Sequence, residues 1–146
     1  MSVEDNKAAV RRFAQEGFNE GNGDTAYTYV SEQMIDHNSF PGQVPGPEGV
    51  KGVIAMFHAA FPDVHYTNDH IFGEGDLVTD HWIMEGTHQG TFMGIPPTGK
   101  RVKVSGIEIF RMADGKIVER WAEIDTLGML QQLGAIPAPA QAAREG

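Results

Sequence analysis

The sequence predicts an α+β fold in which one strongly bent antiparallel sheet wraps three N-terminal helices. Apolar residues recur at helical spacing up to Pro62, whereas apolar and polar residues alternate with a period of two from Val64 onward. Helices followed by a meander of strands are typical of this class. The 146 residues fit one domain, expected at 1–136, with a loose Pro/Ala-rich tail at 137–146.

Start and stop signals define the first two helices. Ser2 and Asp5 have the spacing of a capping box, and the Gly-Asn-Gly segment at 21–23 ends the first helix. Asp24 can cap a second, short helix that runs to Val30. The apolar face of the first helix consists of Val10, Phe13, Ala14 and Phe18.

A brief strand and a third helix follow. Residues 33–40 alternate in polarity and place His37 at the end of the strand, before a Pro/Gly-rich loop. Pro47 suits the first turn of a helix, and Pro62 ends it. One face of this helix carries Val50, Val53, Ile54, Phe57 and Phe61.

Four strands and a last helix complete the domain. Glycine-rich or polar turns separate the strands, which makes them antiparallel neighbours. Asp125 is expected to cap the last helix, which runs from Thr126 to Leu133. The strands are predicted at about 64–73, 77–88, 101–112 and 116–124.

Alternation also assigns faces to the strand residues. Asp80, Trp82, Met84 and His88 fall on the face that packs against the helices, and so do Glu108 and Phe110. A buried carboxylate is costly unless it is paired or protonated. Glu108 is therefore either an acid/base group or one half of a structural pair with His88 or Arg120, while His88 is either a pocket donor or an anchor for the loop that follows it.

The faces of the last strand depend on the turn at Ala-Asp-Gly-Lys 113–116. A two-residue turn pairs Glu108 with Trp121, whereas a three-residue loop places Arg120 and Ala122 on the Glu108 face. In the second register the outer face is strongly apolar, and we expect a homodimer to cover it. This outer set is Ile83, Ile107, Ile109, Ile117 and Trp121.

Composition narrows the function. Twenty acidic against eleven basic residues give a net charge of −9, which disfavours a nucleic-acid partner. There is no cysteine, and no metal-binding spacing is recognisable, so neither a metal nor a cofactor is expected. The chain has no apolar run of membrane-spanning length and no signal peptide pattern, so a cytoplasmic location without membrane contact is expected.

Several segments together resemble the SnoaL-like polyketide (ester) cyclase family over nearly the whole chain. The most specific are "GTHQGTFMGIPPTGK", "IFRMADGKIVERW" and "DTLGMLQQLG". The resemblance implies the cone-shaped α+β barrel that this family shares with ketosteroid isomerase and nuclear transport factor 2. It also implies a deep pocket between helices and sheet.

The family closes polyketide rings by an intramolecular aldol reaction without metal or cofactor. Such a reaction needs a base and a hydrogen-bond donor for the enolate oxygen. Aligned by position, the family's catalytic aspartate falls on Ala122, its pocket histidine on Glu108 and a pocket asparagine on His37, whereas His88 matches. This chain therefore lacks the customary carboxylate.

Two functions remain open from the sequence. One is a cofactor-free cyclase, isomerase or hydrolase of a small, largely apolar carbonyl compound, and the other is a non-catalytic protein that binds such a compound. The expected catalytic residues are Glu108, His88 and Asp125, although Asp125 also suits a helix cap. The expected substrate-binding residues are His37, Phe57, Phe61, Trp82, Met84, Phe110 and Ala122.

Overall fold

Helices and a single bent sheet form one α+β unit in the computed structural model, which describes residues 1–137. The predicted fold class is confirmed. The tail predicted at 137–146 lies, apart from Pro137, outside the described residues. Within residues 1–137, no helix combines the length and apolar character needed to span a membrane.

The helices begin and end close to the predicted residues. Ser2 and Asp5 form the expected capping box at the start of α1. The first helix does not stay α-helical to its end, because it continues as a π-helical segment over Ala14–Asn19. The α-helices are α1 (Val3–Phe13), α2 (Thr25–Tyr29), α3 (Gly46–Ala60) and α4 (Thr126–Leu133).

The sheet has the strand order β1-β5-β4-β3-β2. Strands β2 to β5 form the predicted antiparallel meander, whereas β1 pairs with β5 in parallel, so the sheet is not wholly antiparallel. Strands that are joined by a hairpin must pair antiparallel. Strands β1 and β5 are separated in the chain by β2, β3 and β4, so they can pair in parallel. The strands are β1 (Val30–Asp36), β2 (His65–Glu74), β3 (Leu77–Thr87), β4 (Arg101–Ala113) and β5 (Lys116–Ile124).

The β4–β5 hairpin combines features of both turn alternatives. Asp114 and Gly115 have φ angles of 51° and 78°, as in a two-residue turn, and Met112 pairs with Ile117. A bulge then shifts the register, so that Arg111 pairs with Glu119.

The bulge decides which residues of β5 face the helices. Glu108 pairs with Ala122, so Ala122 and Arg120 share the inner face with Glu108. Ile117 lies before the bulge and is 1% exposed, which corrects its predicted place on the outer face. Trp121 faces outward, as the second register predicted.

A glycine on β4 makes room for a large pocket residue. Trp82 and Gly106 are cross-strand partners, and a Cβ atom on Gly106 would lie 2.2 Å from Trp82 Cζ2 and 2.9 Å from the Glu123 carbonyl oxygen. The absence of a side chain at Gly106 therefore lets the indole lie flat against β4.

Gly106→Ala should lower the free energy of unfolding by about 1–3 kcal/mol, because the indole and a strand backbone must both move. The matched control is Gly52→Ala on α3, where a Cβ atom meets nothing within 4 Å. This control should raise stability by about 0.5–1 kcal/mol. Urea unfolding measures both, and equal effects of the two substitutions would contradict the packing assigned to Trp82.

Candidate active site

A pocket lies between the helices and the inner face of the sheet. Its wall includes Phe57, Trp82, Met84 and Phe110, four of the predicted substrate-binding residues. Side chains of α1 and of the π-helical segment close the opposite side, among them Phe13 and Phe18. The lining is mostly apolar, as is usual for small-molecule sites. Its polar members are Asp36, Gln43, Tyr66, Asp80, Glu108 and Arg120.

Two carboxyl groups face each other at the polar end of this pocket. Asp80 on β3 and Glu108 on β4 are direct cross-strand partners on the inner face. The Tyr66 hydroxyl lies between them, 3.0 Å from Asp80 Oδ2 and 3.1 Å from Glu108 Oε1. Burial and the two carboxylates raise the pKa of Tyr66 well above its usual value, so the phenol keeps its hydrogen.

The Tyr66 hydroxyl carries a single hydrogen and therefore donates to only one of the two carboxylates at a time. If Asp80 is protonated, Asp80 can donate to the Tyr66 oxygen while Tyr66 donates to Glu108. Both short contacts are then hydrogen bonds. The geometry thus accommodates one extra proton between the two carboxyl groups.

Glu108 is held by a cation. Arg120 Nε donates to Glu108 Oε2 at 2.7 Å, and Arg120 Nη1 donates to Asp36 Oδ1 at 2.9 Å. Burial alone would lower the pKa of Arg120, but the two carboxylates raise it above its usual value. Of the pairings considered for Glu108, the structure has the one with Arg120.

Among residues 1–137, no cation is paired with Asp80 in this way. Its side chain is 1% exposed, and Asn68 Nδ2 donates to its Oδ2 at 2.8 Å. Burial, with a smaller contribution from the charge of Glu108, raises the pKa of Asp80 to about 6, although the hydrogen bonds from Asn68 and Tyr66 oppose this. Asp80 is therefore a carboxyl group that changes its charge near neutral pH.

His88 lies outside the pocket wall, which corrects its assignment as a pocket donor. The ring is fully buried and packs against Phe61 at 5.6 Å between ring centroids. The Thr98 backbone N–H donates to His88 Nδ1 at 3.2 Å, and Thr98 Oγ1 lies 3.0 Å from the same atom. His88 therefore anchors the loop between β3 and β4.

His37 and Asp125 are also placed outside the pocket. Because β1 joins β5 in parallel with Asp36 facing inward, His37 faces outward and stacks on Trp121 at 5.0 Å between ring centroids. Its Nε2 lies 2.7 Å from Glu119 Oε2. Asp125 is exposed and accepts a hydrogen bond from the Gly128 N–H as the cap of α4. The predictions of these two residues as pocket groups are wrong.

Two further predicted residues lie just behind the pocket. Phe61 is 0% exposed and belongs to the core between Phe57 and Phe92, but it does not reach the pocket wall. Ala122 faces inward between two lining residues, Arg120 and Ile124, without contributing to the wall itself. Its N–H is bound by Asn38 Oδ1 at 2.8 Å.

Tyr66, Asn68 and Asp80 are the site residues that sequence reasoning missed or undervalued. The alternation along β3 placed Asp80 on the inner face, but it was not among the expected catalytic residues. Tyr66 and Asn68 are two residues apart on β2, so strand alternation puts both on one face. Nothing in the sequence states that their partner would be Asp80, because that contact depends on the β2–β3 register.

One other group of potential metal-binding side chains lies on the outer surface. A bulge in β2 brings Asp69, His70 and His81 together. His81 Nδ1 hydrogen-bonds to Asp69 Oδ2 at 3.2 Å, and His70 Nδ1 lies 2.9 Å from the same oxygen. These contacts with Asp69 account for the cluster without an ion.

The fold and the site together define an α+β barrel protein with an internal, acid-containing pocket. The model of the family SnoaL-like polyketide cyclase matches residues 8–133, and the chain belongs to this family.

Known relatives agree with this assignment. The aklanonic acid methyl ester cyclase DauD of Streptomyces sp. (strain C5) is 29% identical over 131 residues, covering 86% of this chain and 79% of DauD. The structure of AclR from Streptomyces galilaeus, a candidate hydroxylase, has a TM-score of 0.84 at 30% identity, covering 99% of this chain and 90% of AclR. IdmH from Streptomyces antibioticus, a candidate polyketide cyclase, has a TM-score of 0.73 at 34% identity, covering 88% and 98%.

The stability of the protein should depend on the charge of Asp80. In the folded protein the pKa of Asp80 lies above the usual value of 3.8, so protonation of Asp80 stabilises the folded state. This stabilisation is complete below about pH 4 and is lost as the pH rises through about 6. A difference of roughly two pKa units corresponds to about 3 kcal/mol. The Asp80→Asn variant has no carboxyl group at this position, so it does not lose stability through this titration.

The free energy of unfolding of Asp80→Asn minus that of the wild type should therefore increase by up to about 3 kcal/mol between pH 4 and pH 7.5. Urea unfolding at several pH values measures it. Asp69→Asn, an exposed control on the neighbouring strand, should differ from the wild type by less than about 0.5 kcal/mol. A difference for Asp80→Asn that does not change with pH would show that this carboxyl group titrates alike in the folded and unfolded chains.

Proposed function

We propose that this protein catalyses cofactor-free acid/base chemistry on a small, largely apolar carbonyl compound held in the pocket, as an intramolecular aldol cyclisation or a related isomerisation or hydrolysis. The observation that carries the proposal is the facing pair Asp80 and Glu108 with Tyr66 between them, at the polar end of an otherwise apolar pocket. Such a pocket favours apolar substrates, and such a pair supplies a group that takes up and returns a proton.

The chemistry of the reaction agrees with this arrangement. Forming an enolate requires a base whose pKa lies near the working pH, because a stronger acid is a poor proton acceptor and a weaker acid is already protonated. The pKa of Asp80, raised by burial to about 6, meets this requirement. The relatives named as methyl ester cyclases support a carbonyl substrate of the polyketide type.

A second candidate function is binding without turnover. It is favoured by the ion pair between Glu108 and Arg120, because an acid held by a cation is less available for proton transfer. A binding protein would retain its ligand unchanged, and an enzyme would convert it. Mass spectrometry of the compound that copurifies with the protein, before and after incubation at pH 7.5, distinguishes the two. Recovery of an unaltered ligand, with no α-proton exchange in deuterated buffer, would contradict catalysis.

Because position 122 holds an alanine, the protein should not act on the aromatic polyketide esters that are the substrates of its relatives. Ala122 offers no carboxylate where the family resemblance expects one, so the wild type should not cyclise aklanonic acid methyl ester. Ala122→Asp would add a carboxylate on the inner face directly opposite Glu108. Like charges in a buried site raise at least one pKa, so the variant should gain enolisation activity or shift its pH profile.

Ala122→Asp should also cost about 1–3 kcal/mol of stability, the usual range for a poorly satisfied buried polar group. The control is Ala113→Asp, at an exposed position near the β4–β5 turn. Product analysis by liquid chromatography and urea unfolding measure the two effects. Wild-type activity on the aromatic ester, or an Ala122→Asp variant unchanged in activity, pH profile and stability, would contradict this role of position 122.

The protein should form a homodimer at micromolar concentration through the outer face of its sheet. Ile35, Phe72 and Ile107 lie on this face and are 57%, 59% and 46% exposed, and a second copy would remove them from water. Ile107→Lys should weaken the dimer, whereas Leu127→Lys, at an exposed position on α4, should not. Light scattering measures the mass, and a monomeric wild type would contradict the prediction.

A further inference from the structure

Two buried polar atoms of pocket-lining residues have no hydrogen-bond partner within the part of the chain that the structure describes. Four buried side-chain atoms within residues 1–137 are unpartnered, and two of them, Asp80 Oδ1 and Trp82 Nε1, belong to residues that line the pocket. The carboxyl oxygen accepts hydrogen bonds when ionised, and the indole N–H only donates. Leaving a buried polar group without a hydrogen bond is unfavourable, so two such groups on pocket-lining residues are a feature that a bound ligand can relieve.

We propose that Asp80 Oδ1 accepts the proton from the substrate carbon and that Trp82 Nε1–H donates a hydrogen bond to the neighbouring carbonyl oxygen. The inference rests on the proposed function and names its two catalytic residues. The substrate class is then a ketone or ester that carries a C–H bond next to its carbonyl group.

The position of the two residues suits this division of roles. They are two residues apart on β3, so their side chains leave the same face of the strand about 7 Å apart. The indole stacks on Tyr66 at 5.4 Å between ring centroids, which holds its plane. A small carbonyl compound beside β3 can therefore reach both groups.

The other carboxyl group of the pair is less suited to act as the base. Glu108 Oε1 faces Tyr66 and Glu108 Oε2 is bound by Arg120. In Asp80, Oδ2 is bound by Tyr66 and Asn68, whereas the buried Oδ1 has no hydrogen-bond partner within residues 1–137 and is the oxygen left for a substrate. Tyr66 and Asn68 act through Asp80 and are positioning residues.

The proposed reaction balances within the substrate and Asp80. The proton passes from the substrate carbon to Asp80 Oδ1, and the electron pair of the broken C–H bond forms the enolate, whose oxygen is hydrogen-bonded by Trp82. The enolate carbon then attacks a second carbonyl carbon of the same molecule and forms the C–C bond. The new alkoxide oxygen takes the proton back from Asp80, so nothing is oxidised or reduced.

The rate should depend on pH through the groups that face Asp80. These are Tyr66 and Asn68 on β2 and Glu108 on β4 with its partner Arg120 on β5, while the adjacent His81 on β3 lies on the outer face. Helical side chains on the opposite side of the pocket, such as Val10 and Phe13, are apolar. Because the base must be ionised, kcat/KM should rise with pH around 6 and then stay constant.

The test is proton exchange at C1 of 2-tetralone, an apolar bicyclic ketone, in deuterated buffer followed by NMR. Asp80→Asn should lower kcat/KM about 100-fold or more, in the range of lost acid/base groups. Trp82→Phe keeps an aromatic ring but not the N–H and should lower kcat about 100-fold. Tyr66→Phe should move the pH midpoint upward, because the Tyr66 hydrogen bond lowers the pKa of Asp80.

Two control variants reproduce the charge change of Asp80→Asn and the ring change of Trp82→Phe outside the pocket. Asp69→Asn and Trp121→Phe alter an exposed carboxylate on β2 and an outward-facing indole on β5, and both should exchange the ketone within about twofold of the wild type. Far-ultraviolet circular dichroism and urea unfolding verify that each variant folds.

The outcomes separate the inference from the proposed function. Exchange by the wild type, lost in Asp80→Asn and Trp82→Phe but kept in both controls, supports the inference. If folded Asp80→Asn exchanges the ketone as fast as the wild type, Asp80 is not the base, but the proposed function stands. If folded Trp82→Phe does so, the Trp82 N–H does not have the proposed role. A wild type that does not accelerate the exchange overturns the proposed enolisation activity and the inference with it.

Discussion

The contact of one tyrosine hydroxyl with two buried carboxyl groups is the interaction on which the rest of the site depends. Tyr66 supplies a single hydrogen to Asp80 and Glu108, which face each other on neighbouring strands. Arg120 compensates the charge of Glu108, and Asn68 binds Asp80 without compensating its charge. The two carboxyl groups therefore have different partners, and burial raises the pKa of Asp80 to about 6.

The register of strand pairing in the sheet positions these side chains. The antiparallel pairing of β3 and β4 places Asp80 beside Glu108, whereas Tyr66 on β2 pairs with Met84, so its side chain extends along the inner face to reach both carboxyl groups. The bulge in β5 then turns Arg120 toward Glu108, and Asp36 at the end of β1 binds the free side of the same guanidinium. The ion pairs therefore link the edge strand β1 to the centre of the sheet at the polar end of the pocket.

Most of the architecture was predictable from the sequence, because hydrophobic periodicity, helix caps and turn residues are local signals. The alternation along β3 and β4 also assigned Trp82, Met84, Glu108 and Phe110 to the inner face, where the structure has them. Local signals do not determine a bulge or the partner of an edge strand. For this reason the sequence wrongly placed Ile117 on the outer face and His37 in the pocket.

The histidine and aspartate assignments failed for a related reason. A glycine-rich loop with a histidine is compatible with catalysis or with anchoring, and only the contacts of His88 with Thr98 distinguish them. Asp125 carries a cap signal that is local and correct, while its proposed catalytic role needed a contact that the fold does not provide. Family membership does not assign a catalytic residue in this chain, because Ala122 stands where the resemblance implies a carboxylate.

The central claim is that Asp80 exchanges its proton near neutral pH inside the pocket. Carbon-13 NMR of the side-chain carboxyl carbons, with the Asp80 signal assigned by its loss in Asp80→Asn, measures this directly. A titration of the Asp80 carboxyl carbon with a midpoint near pH 6 is the result expected from its burial and its neighbour Glu108. A midpoint near pH 4, as in an exposed aspartate, would contradict the account.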